Sequence, residues 1–252
     1  MAERVWERFL TEQDRAHLAG SQSYSVGFGS RPALLLIDLY YGVFGDAPEP
    51  LVEAIKTWPS SCGPVAWEAL PHIQRLLATA RGAGIPVIHI HQNSCEVPAN
   101  WFEAAHPGRP HSYGDDPAAR DRWARRYQII PQLAPCEGEA VIQKLGASAF
   151  WSTPLLGHLT HLGIDTLLVG GESTSGCVRA SVVDGCQNRL RVNVVEECVF
   201  DRHQATHALN LFDMEQKYAD VIAIDDAVAY LERWQAEQRG TASVTPQPVL
   251  AR

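Results

Sequence analysis

The 252-residue sequence lacks the features that mark several large classes of protein. No apolar run approaches the roughly 20 residues that a membrane-spanning helix needs, and the segment from Met1 to Glu7 is too charged for a secretory signal peptide. There is no excess of positive charge, because the net charge is −8, and a nucleic-acid-binding surface needs a basic face. The six cysteines show no paired spacing, which is typical of reduced thiols. We therefore expect a cytoplasmic protein that binds neither nucleic acid nor membranes.

The domain organisation follows from length and composition. The sequence has no repeats and no low-complexity tract, and its length fits one large domain better than two. We expect a helical extension over residues 1–24, a single large domain over 25–237 and a disordered tail over 238–252. The apolar residues of the extension have helical spacing. Their pattern fits packing against a partner subunit as well as packing on the same domain.

Apolar segments that alternate with helical patterns predict the fold class. Strands are predicted at 33–39, 86–91, 140–143, 165–169, 191–195 and 221–224. Helices are predicted at 66–82, 117–125, 154–161, 176–189, 203–216 and 226–237. The strands are apolar throughout rather than alternating, which indicates a parallel sheet covered on both faces. We therefore predict a three-layer α/β/α domain with a central, mainly parallel six-stranded sheet.

Three ionisable residues follow three of these strands. Asp38 ends the first strand, Lys144 follows the strand at 140–143, and Cys177 stands at a helix start after the strand at 165–169. Sites in such sheets lie at the carboxyl ends of the strands, so the three side chains can meet. A carboxylate can accept the proton of a thiol, and a nearby ammonium or a helix start lowers the pKa of the thiol. Each residue also has an ordinary alternative: a loop cap, a solvated lysine or a buried core cysteine.

The residues around these positions resemble the isochorismatase-like cysteine hydrolases. The resemblance rests on Leu36-Ile37-Asp38, on Lys144 followed by Ala147-Ser148-Ala149-Phe150, and on the run from Gly171 to Arg179, GESTSGCVR. It spans roughly residues 25–230 on the strand pattern. It is closest to the branch of N-carbamoylsarcosine amidohydrolase and maleamate amidohydrolase.

The resemblance implies a catalytic triad of Asp38, Lys144 and Cys177. It also implies a cis peptide bond between Glu172 and Ser173, and an oxyanion hole formed by the backbone N–H groups of Ser173 and Cys177. Cys177 then attacks an amide carbonyl, Asp38 relays the proton to the leaving nitrogen, and water hydrolyses the thioester after ammonia departs. The expected substrate is a small linear amide or a ureido (N-carbamoyl) compound.

The groups that bind the rest of the substrate are less evident. Substrates in this branch carry a carboxylate, which an arginine or a set of donors can hold. Relatives have an arginine between the lysine and the Ala-Ser-Ala-Phe stretch, where this chain has Leu145 and Gly146. We therefore name other candidates for substrate binding: Thr174, Ser175, Arg179, Arg202, His91 and Trp151. Arg179 fits better as a brace between its helix and a neighbour, and the role of Glu172 is not assigned by the sequence.

We expect no metal and no cofactor. His89 and His91 share a face of the second strand, as two metal ligands would. However, residues 40–46 lack the histidine of the Asp-x-His pattern with which nicotinamidases hold a metal. The long segment over 93–137 is suited to a lid or a subunit contact, and its aromatic and histidine candidates are Trp101, Phe102, His106, His111 and Tyr113.

Two other functions stay open on the sequence. An isochorismatase-type vinyl-ether hydrolase keeps the fold and the aspartate but uses no cysteine, so Cys177 argues against it. A non-catalytic member of the fold would bind a small molecule beside an inert triad. Relatives are commonly oligomers, and the resemblance therefore implies a homodimer or homotetramer.

Overall fold

One six-stranded sheet forms the centre of the structure, a computed structural model that describes residues 4–20, 25–92 and 116–242. The strands are β1 (Pro32–Ile37), β2 (Val87–Gln92), β3 (Ala140–Lys144), β4 (Thr166–Glu172), β5 (Arg191–Phe200) and β6 (Asp220–Ile222). Their order is β3-β2-β1-β4-β5-β6, and every pair is parallel. The predicted three-layer fold with a central six-stranded sheet is confirmed.

Helices cover both faces of the sheet. They are α1 (Glu12–Gly20), α2 (Tyr41–Phe44), α3 (Leu51–Thr57), α4 (Pro64–Ala83), α5 (Pro117–Arg125), α6 (Leu155–Leu162), α7 (Arg179–Gln187), α8 (Gln204–Lys217) and α9 (Ile224–Ala242). Helices α4 and α9 pack on one face, and α6, α7 and α8 pack on the other. Strand β1 is buried throughout because its side chains enter the two cores alternately: Leu34 and Leu36 on the first face, Leu35 and Ile37 on the second.

Several predicted boundaries were wrong. Strands β4 and β5 extend to Glu172 and Phe200, because Gly171 still pairs with Ile37 and Val199. The last helix runs to Ala242, so residues 238–242 belong to it and not to a tail; Gln238, Arg239 and Ala242 are good helix formers, whereas Gly240 and Thr241 are weak ones. Residues 243–252 lie outside the described residues. So do the lid candidates Trp101, Phe102, His106, His111 and Tyr113.

The amino-terminal segment packs on its own domain where the structure describes it. Trp6 is buried against Phe212 of α8, and Arg4 forms an ion pair with Glu196 of β5 at 2.6 Å. A short 3-10 turn at Glu7–Phe9 precedes α1. Within the described ranges, no helix is both long enough and apolar enough to cross a bilayer.

Candidate active site

The sheet register brings the ends of three strands together. Ile37 at the end of β1 pairs with Ile90 of β2 on one side and with Gly171 of β4 on the other. The next residue, Asp38, stays fixed to β2 because its N–H donates to the carbonyl of Ile90 at 2.8 Å. Lys144 stands two strands away, about 10 Å at the usual strand spacing. A long side chain is therefore needed for a charge on β3 to reach Asp38.

The three predicted residues meet in one buried cluster. Lys144 Nζ lies 2.8 Å from Asp38 Oδ2 and donates to Cys177 Sγ at 3.2 Å. It also donates to the carbonyl of Gly146 at 3.1 Å. Asp38 and Lys144 are each 1% exposed, whereas Cys177 is partly exposed. The ammonium is thus held between the carboxylate and the sulfur, and Cys177 is the only one of the three residues that is partly exposed.

The Asp38 carboxylate has little hydrogen bonding from the protein. Its contact with Lys144 is an ion pair, but neither oxygen accepts a well-aligned hydrogen bond from the described residues. Its backbone also adopts the left-handed conformation, with φ of +56°, which is uncommon for a residue other than glycine. A buried carboxylate is normally satisfied by several donors. Asp38 therefore keeps the capacity to accept a proton.

The surroundings of Cys177 favour the protonated thiol, whereas the lysine and the helix start in the sequence indicate a lowered pKa. Burial and the Asp38 carboxylate raise the pKa of Cys177 above its usual value, and together they outweigh the lowering effect of Lys144. Burial opposes the charge on Lys144, but Asp38 and Cys177 together raise the pKa of the ammonium above its usual value. The resting site thus holds a carboxylate, an ammonium and a neutral thiol. Its chemistry requires transfer of the thiol proton when substrate binds.

The corner after β4 is shaped by glycine and by long-range hydrogen bonds. Gly171 has φ of +128°, and a Cβ there would lie 2.0 Å from the carbonyl oxygen of Ile37, so no other residue fits. The Glu172–Ser173 peptide bond is cis. A π-helical turn, Thr174–Val178, follows and leads into α7. Cys177 thus lies in the first turn of a continuous helical segment.

Thr174 and Ser175 use their hydroxyls within the protein. Thr174 is fully buried, and its Oγ1 hydrogen-bonds His207 Nδ1 at 2.8 Å. Ser175 Oγ and its backbone N–H both donate to Asp201 Oδ2, at 2.6 and 2.9 Å. The two hydroxyls therefore anchor the corner to α8 and to the end of β5.

Glu172 is buried beside the cluster and directed away from solvent. It is 8% exposed, its Oε1 accepts from Cys62 Sγ at 3.5 Å, and Arg202 Nη2 lies 3.9 Å away. Burial and the Asp38 charge raise the pKa of Glu172 to about 8. The raised pKa favours the neutral acid, which adds no negative charge next to Asp38.

The two arginines suggested for substrate binding have partners elsewhere. Arg179 donates to Asp213 of α8 at 2.6 Å, which makes it the brace between helices that the sequence favoured. Arg202 donates to the carbonyls of Ser60 and Ser61, at 2.7 and 2.9 Å. Both guanidinium groups therefore bind partners outside the cluster of Asp38, Lys144 and Cys177.

His91 and Trp151 both lie near Lys144 or the residues that hold it. Burial lowers the pKa of His91, while the nearby Asp38 carboxylate raises it and Lys144 lowers it further, so the ring lies within range of both charges. Trp151 is 51% exposed and packs against Gly146, whose carbonyl holds Lys144. His89, on the same face of β2, hydrogen-bonds Glu139 at 2.9 Å. Among the described residues, no group of three or more His, Cys, Asp or Glu side chains could hold a metal.

Tyr40 and Tyr127 form one wall of the candidate site, which the sequence did not predict. The segment after α5 runs antiparallel to the residues after Asp38: Gly42 N–H donates to Arg126, Tyr41 N–H to Gln128, and Ile130 N–H to Leu39. This pairing sets the Tyr127 ring against the edge of the Tyr40 ring, with centroids 5.1 Å apart. Burial and then the charge of Asp38 raise the pKa of Tyr40 well above its usual value. In the sequence, only the position of Tyr40, two residues after Asp38, indicates that these rings lie at the site.

One family model and two named relatives match most of the chain. The model of the isochorismatase domain matches residues 32–226. The chain is 36% identical to maleamate amidohydrolase of Pseudomonas putida, over 86% of this chain and 94% of that protein. It is 32% identical to N-carbamoylsarcosine amidase of Arthrobacter sp., over 89% and 83%.

A solved structure supports the fold. A cysteine hydrolase from Pseudomonas syringae pv. phaseolicola superposes with a TM-score of 0.67 at 17% identity, covering 85% of this chain and 97% of that one. At this identity the similarity speaks to the fold alone. The family model, by contrast, covers most of the chain. The chain therefore belongs to the isochorismatase family, as the motifs around Asp38, Lys144 and Cys177 indicated.

Proposed function

We propose that this protein is a cysteine-dependent amidohydrolase, which cleaves the C–N bond of a small linear amide or ureido compound and releases ammonia. Cys177 is the nucleophile, Asp38 the proton carrier and Lys144 the fixed positive charge. The observation that carries the proposal is the buried cluster itself: one ammonium within 3.2 Å of both a carboxylate and a thiol. The names of the relatives, maleamate amidohydrolase and N-carbamoylsarcosine amidase, support the reaction class.

The first half of the reaction forms a thioester. Asp38 accepts the thiol proton as Cys177 Sγ attacks the amide carbonyl, and a tetrahedral oxyanion forms. Asp38 then gives this proton to the amide nitrogen, the C–N bond breaks, and ammonia leaves. In the second half, Asp38 takes a proton from water as the water oxygen attacks the thioester. The proton returns to the departing sulfur, which restores the thiol and releases the acid.

Lys144 and the corner after β4 would stabilise the charges that develop. The ammonium contacts the sulfur as it becomes a thiolate, and a fixed charge in a buried site needs no reorganisation during the reaction. We assign the oxyanion hole to the backbone N–H groups of Ser173 and Cys177. Cys177 lies at the start of a helical segment, where N–H groups point toward a bound anion.

Ammonia release from a substrate panel tests the proposal. The panel contains maleamate, N-carbamoylsarcosine, nicotinamide and simple ureido acids, and it is assayed with the wild type, Cys177→Ala and the matched control Cys186→Ala. We expect ammonia from at least one amide or ureido compound, loss of that activity in Cys177→Ala, and its retention in Cys186→Ala, where a partly exposed cysteine of α7 is removed. Activity that survives Cys177→Ala would exclude the cysteine mechanism. A vinyl ether added to the panel tests the alternative, because its cleavage without ammonia release would favour the isochorismatase-type reaction.

We further propose a homo-oligomeric, cytoplasmic enzyme with one hydrolase domain over 25–242, which includes the whole of α9, and a short amino-terminal extension. The five cysteines that the structure describes are all unpaired, which supports a reducing compartment. Size-exclusion chromatography with light scattering tests the oligomer, and a monomeric mass at micromolar concentration would contradict it. Limited proteolysis tests the domain limits, and a stable fragment that starts near residue 25 is expected.

A further inference from the structure

Glu172 is a buried carboxyl group that the proposed reaction does not use. It ends β4 directly after Gly171, and Asp38 directly follows Ile37, the register partner of Gly171 on β1. The two carboxyl groups are therefore neighbours at the carboxyl edge of the sheet, and they are 8% and 1% exposed. Ser173, to which we assign part of the oxyanion hole, is the next residue. A charge on Glu172 would thus act on the proton carrier and on the oxyanion hole together.

The partners of Glu172 suit a protonated carboxyl group better than a carboxylate. Its Oε1 accepts from the thiol of Cys62 at 3.5 Å, and a thiol is a weak donor. Arg202 Nη2 lies 3.9 Å from the same oxygen, which is too far for a hydrogen bond. The guanidinium donates instead to the carbonyls of Ser60 and Ser61. Arg202 is therefore not a close counter-ion of Glu172.

The groups that face Glu172 are mostly acidic. They come from four parts of the chain: Asp38 and Tyr40 after β1, Cys62 before α4, Cys177 in the π-helical turn, and Asp201 and Arg202 after β5. Burial and then the charge of Asp38 raise the pKa of Glu172 to about 8, against the opposing effects of Arg202 and Cys62. Glu172 therefore keeps its proton up to slightly alkaline pH.

We infer that Glu172 is a positioning residue for the proposed reaction: in its protonated form it ties the end of β4 to residues 60–62, and the loss of its proton stops turnover. The inference rests on the proposed amidohydrolase function and adds an upper pH limit to it. An ionised Glu172 would place a second negative charge beside Asp38, where the thiolate and the oxyanion must also form. It would also draw the guanidinium of Arg202 away from the carbonyls that it holds.

Other ionisable groups of the site do not titrate near pH 8. Burial and neighbouring acidic groups raise the pKa of Cys177 above its usual value. Burial opposes the charge on Lys144, but its acidic neighbours raise its pKa above the usual value as well. Burial lowers the pKa of His91 and of His207 below 6.5. A loss of activity centred near pH 8 therefore reports on Glu172.

The pH dependence of kcat in the wild type, Glu172→Gln and the control Glu215→Gln tests the inference. In the wild type, kcat for a substrate from the panel should fall about tenfold between about pH 7 and 9, as expected for a required proton with a pKa near 8. Glu172→Gln has nearly the size of the protonated acid but no proton to lose, so its kcat should change less than about twofold. Burial also raises the pKa of Glu215 on α8, so Glu215→Gln is a matched control and should keep the wild-type fall. The same tenfold fall in a folded Glu172→Gln overturns the inference.

The variant Cys62→Ala should move the limit without changing Glu172 itself. The hydrogen bond from the thiol lowers the pKa of Glu172, so its removal should shift the fall in kcat to higher pH. If circular dichroism shows that Glu172→Gln does not fold, this variant decides the matter. A fall at the wild-type pH in Cys62→Ala then overturns the inference.

A labelling measurement separates this inference from the proposed function, because it needs no substrate. The charge of Glu172 raises the pKa of Cys177. The pH curve for alkylation of Cys177 by iodoacetamide, followed by mass spectrometry, should therefore shift to lower pH in Glu172→Gln and stay in place in Glu215→Gln. This shift supports the role of Glu172 even if no compound in the panel releases ammonia. Coincident curves for the wild type and Glu172→Gln overturn the inference while the amidohydrolase proposal stands.

Discussion

Two aspartates stand at opposite ends of the two central strands, and their carboxylates have opposite surroundings. Asp165, just before β4, accepts from the backbone N–H and hydroxyl of Ser30, the backbone N–H of Arg31 and the hydroxyl of Thr166. Asp38, just after β1, is more deeply buried, yet neither of its oxygens accepts a well-aligned hydrogen bond from the described residues. The first carboxylate ties a turn to the sheet. The second stays open toward Lys144 and the thiol.

The difference shows how structural and chemical roles can be separated in this fold. A carboxylate whose lone pairs are all used holds the chain together and has little capacity left for proton transfer. A buried carboxylate with unused lone pairs is unfavourable for stability. Its retention beside a nucleophile is explained by proton transfer. Variants at satisfied positions should therefore affect stability, and variants at Asp38 should affect turnover.

The largest effect is expected for Asp38→Asn. The amide has nearly the same size but cannot accept the thiol proton, so kcat/KM should fall about a thousandfold. Steady-state ammonia release measures the loss, and circular dichroism checks that the variant is folded. A decrease of less than tenfold in a folded variant would contradict the assignment of Asp38 as the proton carrier.

Asp165→Asn should lower stability and leave turnover unchanged, which is the reverse of the effect expected for Asp38→Asn. The amide group places an NH2 against donors, so the free energy of unfolding should fall by about 1–3 kcal/mol, while kcat and KM stay within about twofold. Burial raises the pKa of Asp165, but its hydrogen bonds lower it further, so the pKa is below 3.8 overall. The stabilisation is thus present above pH 3.8 and is lost as the pH falls through the folded value. Urea unfolding at neutral and acid pH measures both effects, and a change in turnover without a change in stability would refute the comparison.

Ser175→Ala should have a smaller effect on stability and none on substrate affinity. The hydroxyl donates to Asp201, and the backbone N–H of Ser175 keeps its own bond to the same oxygen. The free energy of unfolding should fall by about 0.5–1.5 kcal/mol, with KM unchanged. A raised KM with unchanged stability would restore Ser175 as a substrate-binding residue.

Arg179→Gln should have the smallest effect. Its ion pair with Asp213 is partly exposed, and such pairs contribute less than about 1 kcal/mol. KM for every substrate should stay unchanged, because the guanidinium braces α7 against α8 and does not bind substrate. Urea unfolding and ammonia release together measure both quantities. A selective rise in KM for carboxylate-bearing amides would instead assign carboxylate binding to Arg179.

The comparison also explains what the sequence could and could not predict. Asp38, Lys144 and Cys177 were identifiable because each directly follows a strand, and the carboxyl ends of parallel strands share one edge. Tyr127 was not identifiable, because its position depends on an antiparallel pairing with residues 39–42, far away in the chain. The structural roles of Thr174 and Ser175 likewise depend on His207 and Asp201. No local pattern encodes such distant partners.

The direction of the pKa shift of Cys177 also could not be predicted from the sequence, because it depends on packing. Helix starts and neighbouring lysines lower the pKa of a cysteine, and both are visible in the sequence around Cys177. Burial and the charge of Asp38 act in the opposite direction, and they outweigh the first pair only once the packing is known. The balance of these effects is a property of the assembled site.

The rate of Cys177 alkylation by iodoacetamide as a function of pH, in the wild type and in Asp38→Asn, tests the central claim most directly. Because Asp38 raises the pKa of the thiol, the wild type should react slowly through neutral pH and faster only in alkaline solution. The curve of Asp38→Asn should shift to lower pH, so that alkylation accelerates while turnover is lost. Fast, pH-independent labelling of the wild type between about pH 6 and 8 would reveal a resting thiolate. In that case Asp38 would have no thiol proton to accept, and its assignment as the proton carrier would be wrong.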